Sequence, residues 1–210
     1  MKQKTIKNII DKQKDDNIVL TSEKFQPLKY ADLKKLINKI ARQLSSQGIS
    51  NKDRAAIVLP NGPHMATSFL AISSFMSAAP LNPAYKTEEY EFYLNDLKPK
   101  IVLVEPNSSN KVLEAAKNLN IPVCEIKIKD NSPTGTFDLF KNESDYNLPE
   151  ENDEALVLHT SGTTSRPKIV PLTNKNIFSS SLNISKALNL SESDHSLNIM
   201  PLFHIHGLIA

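Results

Sequence analysis

Short apolar runs alternate with longer segments of helical periodicity along most of this chain, and this alternation limits the fold more than any other feature. Strands are predicted at 18–20, 55–59, 101–104 and 121–128, and helices at 30–47, 64–78, 109–119 and from Thr87 to the residue before Pro99. A helix between two strands usually carries the chain back to the starting edge of the sheet, so that the strands pair in parallel. We therefore predict an α/β fold with a largely parallel sheet flanked by helices.

Two of the predicted helices should pack differently. The helix at 30–47 places its apolar residues on one stripe and its charged residues opposite, with Gly48 as the stop. The stripe consists of Leu33, Leu36, Ile37, Ile40, Ala41 and Leu44. The helix at 64–78 is apolar nearly all round and follows Pro63, which suits a first helical position. We expect this second helix to be buried rather than amphipathic.

The stretch LVLHTSGTTSRPKIVPLTN, residues 156–174, contains the clearest functional motif. Its centre has five hydroxyl side chains around one glycine, followed at once by two cations. Hydroxyl and backbone N–H groups donate hydrogen bonds to phosphate oxygens, and Gly162 allows the backbone to approach closely. The common P-loop has a glycine directly before its lysine, and this stretch does not. The candidate polyphosphate-binding residues are Thr160, Ser161, Gly162, Thr163, Thr164, Ser165, Arg166, Pro167 and Lys168.

The sequence TSGTTSRPK resembles the signature loop of the acyl-adenylate-forming superfamily, which includes acyl-CoA synthetases, 4-coumarate–CoA ligases, luciferases and peptide-synthetase adenylation domains. The usual form is [YF]TSGTTGxPKG; this chain has His159 for the aromatic residue, and Ser165 and Ile169 for two glycines. The variant SGTTSRPK, followed by VPLT and later by PLFHIHG, is most similar to the oxalate–CoA ligase branch. Two further blocks, LKYADLKKLINKIARQL and AAIVLPNGPHMATSFLAISSFMSAAPLNPAY, extend the resemblance over most of the chain from about Lys29.

The resemblance implies an ATP-dependent acyl-CoA ligase that uses ATP, Mg²⁺ and CoA and acts on a small-molecule carboxylate. Such an enzyme joins the carboxylate to AMP, releases pyrophosphate and then transfers the acyl group to the thiol of CoA. The loop would hold the β- and γ-phosphates, with Thr163 and Thr164 as donors and Lys168 as a point charge. Arg166 occupies a variable position of the family. Among carboxylates, oxalate is the first choice, and a medium-chain or aromatic acid is the second.

A second motif, Pro201-Leu202-Phe203-His204-Ile205-His206-Gly207-Leu208, follows a strand predicted at 197–200. That strand would deliver an aromatic ring and two histidines to the carboxyl edge of the sheet, where open parallel sheets bind ligands. In the family the matching segment lines the acyl pocket, which makes Phe203, His204 and His206 candidate substrate-binding residues. For His204 the pocket wall is favoured over a core position, and for His206 both interpretations are open. A metal site is disfavoured because no Cys, Asp or Glu lies beside the histidines.

The resemblance also implies that residues 1–210 are the N-terminal portion of an AMP-binding domain. The family's Y-G-x-T-E and T-G-D segments and the C-terminal domain with its catalytic lysine have no match in this sequence. We therefore name no catalytic residue and expect this polypeptide alone to be inactive. The alternative is a non-catalytic remnant of the same fold that acts as a binding or interaction module.

Composition gives no sign of a nucleic-acid or membrane partner. The formal net charge is +2, from 25 cations and 23 acids, so no overall field attracts nucleic acid or anionic lipid. The N-terminus lacks the apolar core of a signal peptide, and no apolar run approaches a membrane span. Cys124 is the single cysteine, for which an inert buried thiol is expected, and it suits a reducing compartment. We expect a cytoplasmic protein, with a peroxisomal location as the alternative.

The segment 130–154 interrupts the alternation of strands and helices. It contains eight of the 23 acids, with Lys141 as its only cation, and it includes Pro133, Gly135 and Pro149. The acids have no recognisable spacing for a metal. We expect a solvated, acidic connecting loop.

Overall fold

The computed structural model describes residues 3–160 and 167–209. The helices are α1 (Ile6–Asp11), α2 (Tyr30–Ser45), α3 (Pro63–Ser73), α4 (Thr87–Leu97), α5 (Val112–Asn118), α6 (Asn174–Ala187) and α7 (Ile205–Ile209). The strands are β1 (Ile18–Ser22), β2 (Phe25–Lys29), β3 (Arg54–Val58), β4 (Ser77–Pro80), β5 (Ile101–Val104), β6 (Val123–Glu125), β7 (Glu154–Thr160) and β8 (Lys168–Thr173).

Six strands form one sheet in the order β6-β5-β3-β4-β7-β8, and β1 and β2 form a separate antiparallel pair. Every pair within the larger sheet is parallel except β7 with β8, which form an antiparallel hairpin. The chain leaves β3 for β4 on one side, then crosses back to β5 on the other. This is the α/β fold with a largely parallel sheet that the alternation predicts.

Helices cover both faces of this sheet. On one face, alternate strand residues such as Ile57 and Leu156 pack in a core with α1, α2 and α3. On the other face, the residues between them, such as Val58 and Val157, pack against α4 and α5. The apolar stripe of α2 is buried as predicted, and so is most of α3. Strands buried on both faces account for the uninterrupted apolar runs in the sequence.

The boundary between α3 and β4 differs from the prediction. The sequence predicts one helix over 64–78, whereas α3 ends at Ser73 and Ser77–Pro80 forms β4 in the centre of the sheet. The backbone of β4 pairs with β3 from Arg54↔Ser77 to Ile57↔Pro80. Because both the helix and the strand are buried, the apolar pattern continues unbroken from one to the other. Periodicity therefore cannot locate the boundary.

Residues 130–153 contain none of the helices or strands given above, but the expectation of a solvated loop is wrong for the first half of this segment. Phe137 and Leu139 are buried in the core beneath α2. The side chain of Gln43, on α2, accepts a hydrogen bond of 2.8 Å from the backbone N–H of Leu139. Asp138 lies between Lys39 and Lys129, and the Lys129 ammonium is 2.9 Å from its carboxylate. The acids of this stretch thus include one that joins the loop to α2.

Candidate active site

The hairpin of β7 and β8 positions the base of the predicted phosphate loop. β7 runs parallel to β4, so Thr160 lies at the carboxyl edge of the parallel strands. Thr160 pairs with Lys168, the first residue of β8, and its hydroxyl is 3.5 Å from the Lys168 carbonyl oxygen. Lys168 is exposed, and Pro167 precedes it directly. The other candidate phosphate ligands lie outside the described residues: Ser161, Gly162, Thr163, Thr164, Ser165 and Arg166.

The segment that contains Phe203, His204 and His206 reaches the same edge of the sheet. Asn61 follows β3 closely, and its side-chain oxygen accepts a hydrogen bond of 2.9 Å from the backbone N–H of Leu202. β3 and β7 are two strands apart, so the ends of these strands are separated by about 10 Å. The structure therefore brings the second motif to the edge that carries the base of the loop.

The three candidate substrate residues do not share one environment. The ring centroids of Phe203 and His204 are 4.5 Å apart, with Phe203 half-buried and His204 exposed. His206 is also exposed and lies two positions further on, within α7. His204 directly precedes this helix, and its ring lies against that of Phe203. The structure therefore pairs Phe203 with His204 and places His206 on the next element.

The strand predicted at 197–200 is wrong. This stretch is irregular and exposed, with Leu197 at 89% and Ile199 at 77% of full exposure. The Asn198 side chain contributes to a turn: its amide donates to the carbonyl of Gly207 at 2.7 Å, and its oxygen accepts from the N–H of Met200. Apolar alternation at 197 and 199 is typical of a strand, but no neighbouring strand among the described residues pairs with it.

Tyrosines of α4 support the turn that follows β4 at this edge. Tyr90 is fully buried, and its hydroxyl donates to the carbonyl of Asn82 at 2.9 Å. Burial raises the pKa of Tyr90 to about 12, which keeps this hydroxyl protonated as a donor at neutral pH. Tyr85 stacks on Tyr93 at 4.8 Å between ring centroids, and burial also raises the pKa of Tyr85.

Sequence reasoning missed two sets of residues at this edge. Asn61 belongs to no functional motif in the sequence, although a side-chain amide soon after a strand is placed to hold a neighbouring segment. The pair of His159 and Asp96, which are 2.7 Å apart, could not be found from spacing because the two lie 63 positions apart in the chain. The signal that was available for His159 is its departure from the aromatic residue of the family motif.

A cavity of about 1080 Å³ adjoins the second motif. Asn61, Gly62 and Leu202 line it at the sheet edge, and residues of β1 and of the segment 190–198 line its other walls. Its volume slightly exceeds the range of about 300–1,000 Å³ that is usual for small-molecule pockets. The carboxyl edge of β3 therefore opens into a space that can receive a ligand.

Residues 3–160 and 167–209 contain no cluster of three or more His, Cys, Asp or Glu side chains that could hold a metal ion. The described residues therefore assign no protein ligand to a metal.

In the same part of the chain, no helix combines the length and the apolar character that crossing a membrane requires.

This chain belongs to the AMP-binding enzyme family, whose model matches residues 7–210. It is 39% identical to an oxalate–CoA ligase of Arabidopsis thaliana over 98% of its length, and 32% identical to an oxalate–CoA ligase of Saccharomyces cerevisiae over 92%. It spans 41% and 42% of the length of these two relatives.

A solved structure supports the fold. Over 99% of this chain the structure is similar to apo MatB from Rhodopseudomonas palustris, with a TM-score of 0.81 and 24% sequence identity. The chain covers 42% of that protein. The similarity identifies the described α/β unit as the N-terminal part of the adenylate-forming fold.

Proposed function

We propose that the complete protein is an ATP-dependent acid–thiol ligase that forms an acyl-adenylate and then an acyl-CoA thioester, with oxalate as the acid. The observation that carries this proposal is the match of nearly the whole chain to the AMP-binding family. The choice of oxalate is supported by the two oxalate–CoA ligases among its relatives and by the motifs SRPK and HIHG.

The chemistry explains why such a site needs a cationic loop. A carboxylate is a poor electrophile, and attack of its oxygen on the α-phosphorus of ATP makes an acyl-adenylate and releases pyrophosphate. The thiol of CoA then attacks the acyl carbon, and AMP leaves. The first step depends on positioning and on stabilising phosphate charge, because little covalent chemistry falls to the protein.

The described residues fit a polyphosphate at the loop base. Thr160 offers a hydroxyl and Lys168 an exposed ammonium, and both lie at the carboxyl edge of the sheet. A nucleotide-bound Mg²⁺ is held mainly by phosphate oxygens and water, with one or two carboxylates. The described residues assign no protein ligand to this ion.

The substrate proposal is tested with a panel of carboxylic acids. Release of AMP that depends on CoA is measured for oxalate, malonate, a medium-chain acid and 4-coumarate with the complete protein. We expect the highest kcat/KM for oxalate. A preference for another acid of the panel would remove the oxalate assignment and leave the class of reaction intact.

The loop proposal is tested with Lys168→Ala and Thr164→Ala. Loss of one positioned donor from an electrostatic site slows the chemical step about 10² to 10³-fold. We therefore expect pyrophosphate exchange to fall by that factor in both variants. Lys100→Ala is the control, because Lys100 is exposed at the opposite edge of the same sheet, directly before β5. Wild-type exchange in the Lys168 and Thr164 variants would refute the loop assignment.

We propose a cytoplasmic location on the basis of cysteine usage. Cys124 is buried and has no second cysteine with which to form an internal disulfide, which suits a reducing compartment. A fluorescent fusion at the N-terminus of the complete protein would test this, and accumulation in peroxisomes would contradict it.

A further inference from the structure

His159 is the last residue before the predicted phosphate loop begins. It belongs to β7, and its side chain lies on the sheet face that α4 covers, as does that of Val157 two positions earlier. It pairs with Ile169 of β8, next to the pair of Thr160 and Lys168. The pair of His159 and Ile169 is therefore the first pair of the hairpin outside the candidate loop.

Two residues of α4 hold the imidazole. Its Nε2 is 2.7 Å from Oδ2 of Asp96, and its ring meets the ring of Tyr93 edge to face, with centroids 4.7 Å apart. Tyr93 and Asp96 are three positions apart, so they lie on the same face of the helix. The side chain of His159 is only 6% exposed, whereas that of Asp96 is 43% exposed. The imidazole is thus enclosed, and its polar atom reaches a carboxylate at the surface.

β8 lies at the edge of the six-stranded sheet that the described residues form, where it pairs with β7 alone. The base of the loop therefore has few backbone partners in this part of the chain. β7 in turn is hydrogen-bonded to the rest of the sheet through β4, with one registered partner pair, Ala78↔Leu156, near its start. The bond between His159 and Asp96 ties the far end of β7 to α4. It therefore restrains the part of the hairpin that the sheet itself holds least.

We propose that His159 is a positioning residue for the polyphosphate loop. The contacts of its ring with Asp96 and Tyr93 fix the loop base, so that Thr160 and Lys168 keep their positions when phosphate binds. The expected effect on catalysis rests on the proposed function. The structural part of the inference, the restraint of the hairpin end, is independent of any activity.

Three substitutions separate the contact of His159 with Asp96 from its contact with Tyr93. His159→Phe keeps a ring against Tyr93 and removes the bond to Asp96. His159→Gln keeps an amide donor for Asp96 and removes the ring. Asp96→Asn keeps the size and an acceptor oxygen and removes the charge. Glu88→Gln is the control, because it neutralises an exposed carboxylate on the same helix.

Two measurements on the complete protein test the proposal. The first is amide hydrogen exchange at residues 158–160 and 168–170, compared with the buried strand β5. We expect His159→Phe and Asp96→Asn to speed exchange at the hairpin end about 10-fold, with β5 unchanged, because opening free energies are local. The second is pyrophosphate exchange, in which we expect kcat to fall about 10 to 100-fold through misplacement of the loop, with the KM for the acid unchanged.

The outcomes separate this inference from the proposed function. A wild-type protein without pyrophosphate exchange refutes the proposed function, while the amide exchange still decides whether the hairpin end is restrained. Wild-type amide exchange and wild-type kcat in both His159→Phe and Asp96→Asn overturn the inference. The inference is also overturned if Glu88→Gln slows the reaction as much as Asp96→Asn does. If His159→Phe fails to fold, Asp96→Asn carries the test, because its side chain is partly exposed.

Discussion

Replacing Gly135 by alanine should destabilise the protein through two separate effects. Gly135 has φ +73°, in the left-handed region that residues with a Cβ adopt at a cost of about 1–2 kcal/mol. A Cβ placed there would lie 2.7 Å from Cγ2 of Thr67 and 2.8 Å from the carbonyl oxygen of Pro63. Both contacts are shorter than atoms tolerate, so α3 or the loop must shift. The Thr67 hydroxyl also donates to the Gly135 carbonyl at 2.6 Å, which leaves little room for adjustment.

Gly48 provides a matched control for the backbone effect alone. It has φ +74°, nearly the same as Gly135, but a Cβ there would meet nothing within 4 Å. Gly48→Ala should therefore lower the free energy of unfolding by about 1–2 kcal/mol, from the backbone alone. Overpacking costs about 1–3 kcal/mol more. Gly135→Ala should then lose about 2–5 kcal/mol in total.

Urea denaturation of the complete protein, followed by circular dichroism, measures both losses on the same scale. Equal losses in Gly135→Ala and Gly48→Ala would show that the loop at 130–138 yields without cost. That result would refute the close packing of this loop on α3. A larger loss in Gly48→Ala would contradict the description of the open space around it.

Three further predictions concern the rest of the fold. Arg54→Met should lower the free energy of unfolding by about 2–3 kcal/mol, because Arg54 donates twice to Glu154, at 2.7 and 2.8 Å, in a pair whose side chains are 29% and 23% exposed. Lys14→Met, in a pair that is 72% and 68% exposed, should change it by less than about 0.5 kcal/mol; equal effects in urea would contradict this ranking. Burial lowers the pKa of His64, so the unfolded chain takes up its proton at a higher pH than the folded chain. Stability should therefore be complete above the ordinary value of 6.5 and fall as the pH drops through it, and a His64→Gln variant with the same pH dependence would disprove the assignment. Burial raises the pKa of Cys124 to about 11, so a thiol reagent at pH 8 should modify it only in denaturant, and rapid labelling of the native protein would count against its burial.

The architecture could be predicted from the sequence because the sheet is buried on both faces. Apolar runs such as 101–104 coincide with β5, and the stripe of α2 was located residue by residue. Cys124 is buried in β6, as its expected role as an inert thiol requires. The helix that begins at Thr87 ends at Leu97, just before Lys98 in a left-handed conformation and Pro99. Proline and turn signals fixed this boundary, whereas α3 and β4 have no such signal between them.

The connecting segment shows the limit of composition as evidence. Its acids predict a solvated loop, yet Asp138 is held between two lysines and its neighbours Phe137 and Leu139 are buried. The apolar residues of this segment are too few for a periodic pattern. Their burial depends on α2, which lies about 100 positions earlier and supplies Gln43 as an acceptor for the backbone of Leu139. A long-range contact of this kind leaves no local mark in a sequence.

The candidate site likewise has residues that the sequence identifies and residues that only the fold reveals. The signature motif named the loop, and the structure places its two ends, Thr160 and Lys168, at the carboxyl edge of the sheet. The anchors of that edge, Asn61 for the second motif and Asp96 for the hairpin, come from β3–α3 and α4 and carry no motif of their own. A motif identifies groups that meet the ligand, because their chemistry is restricted. The groups that hold them in place can be any polar side chain of suitable reach, so only the fold reveals them.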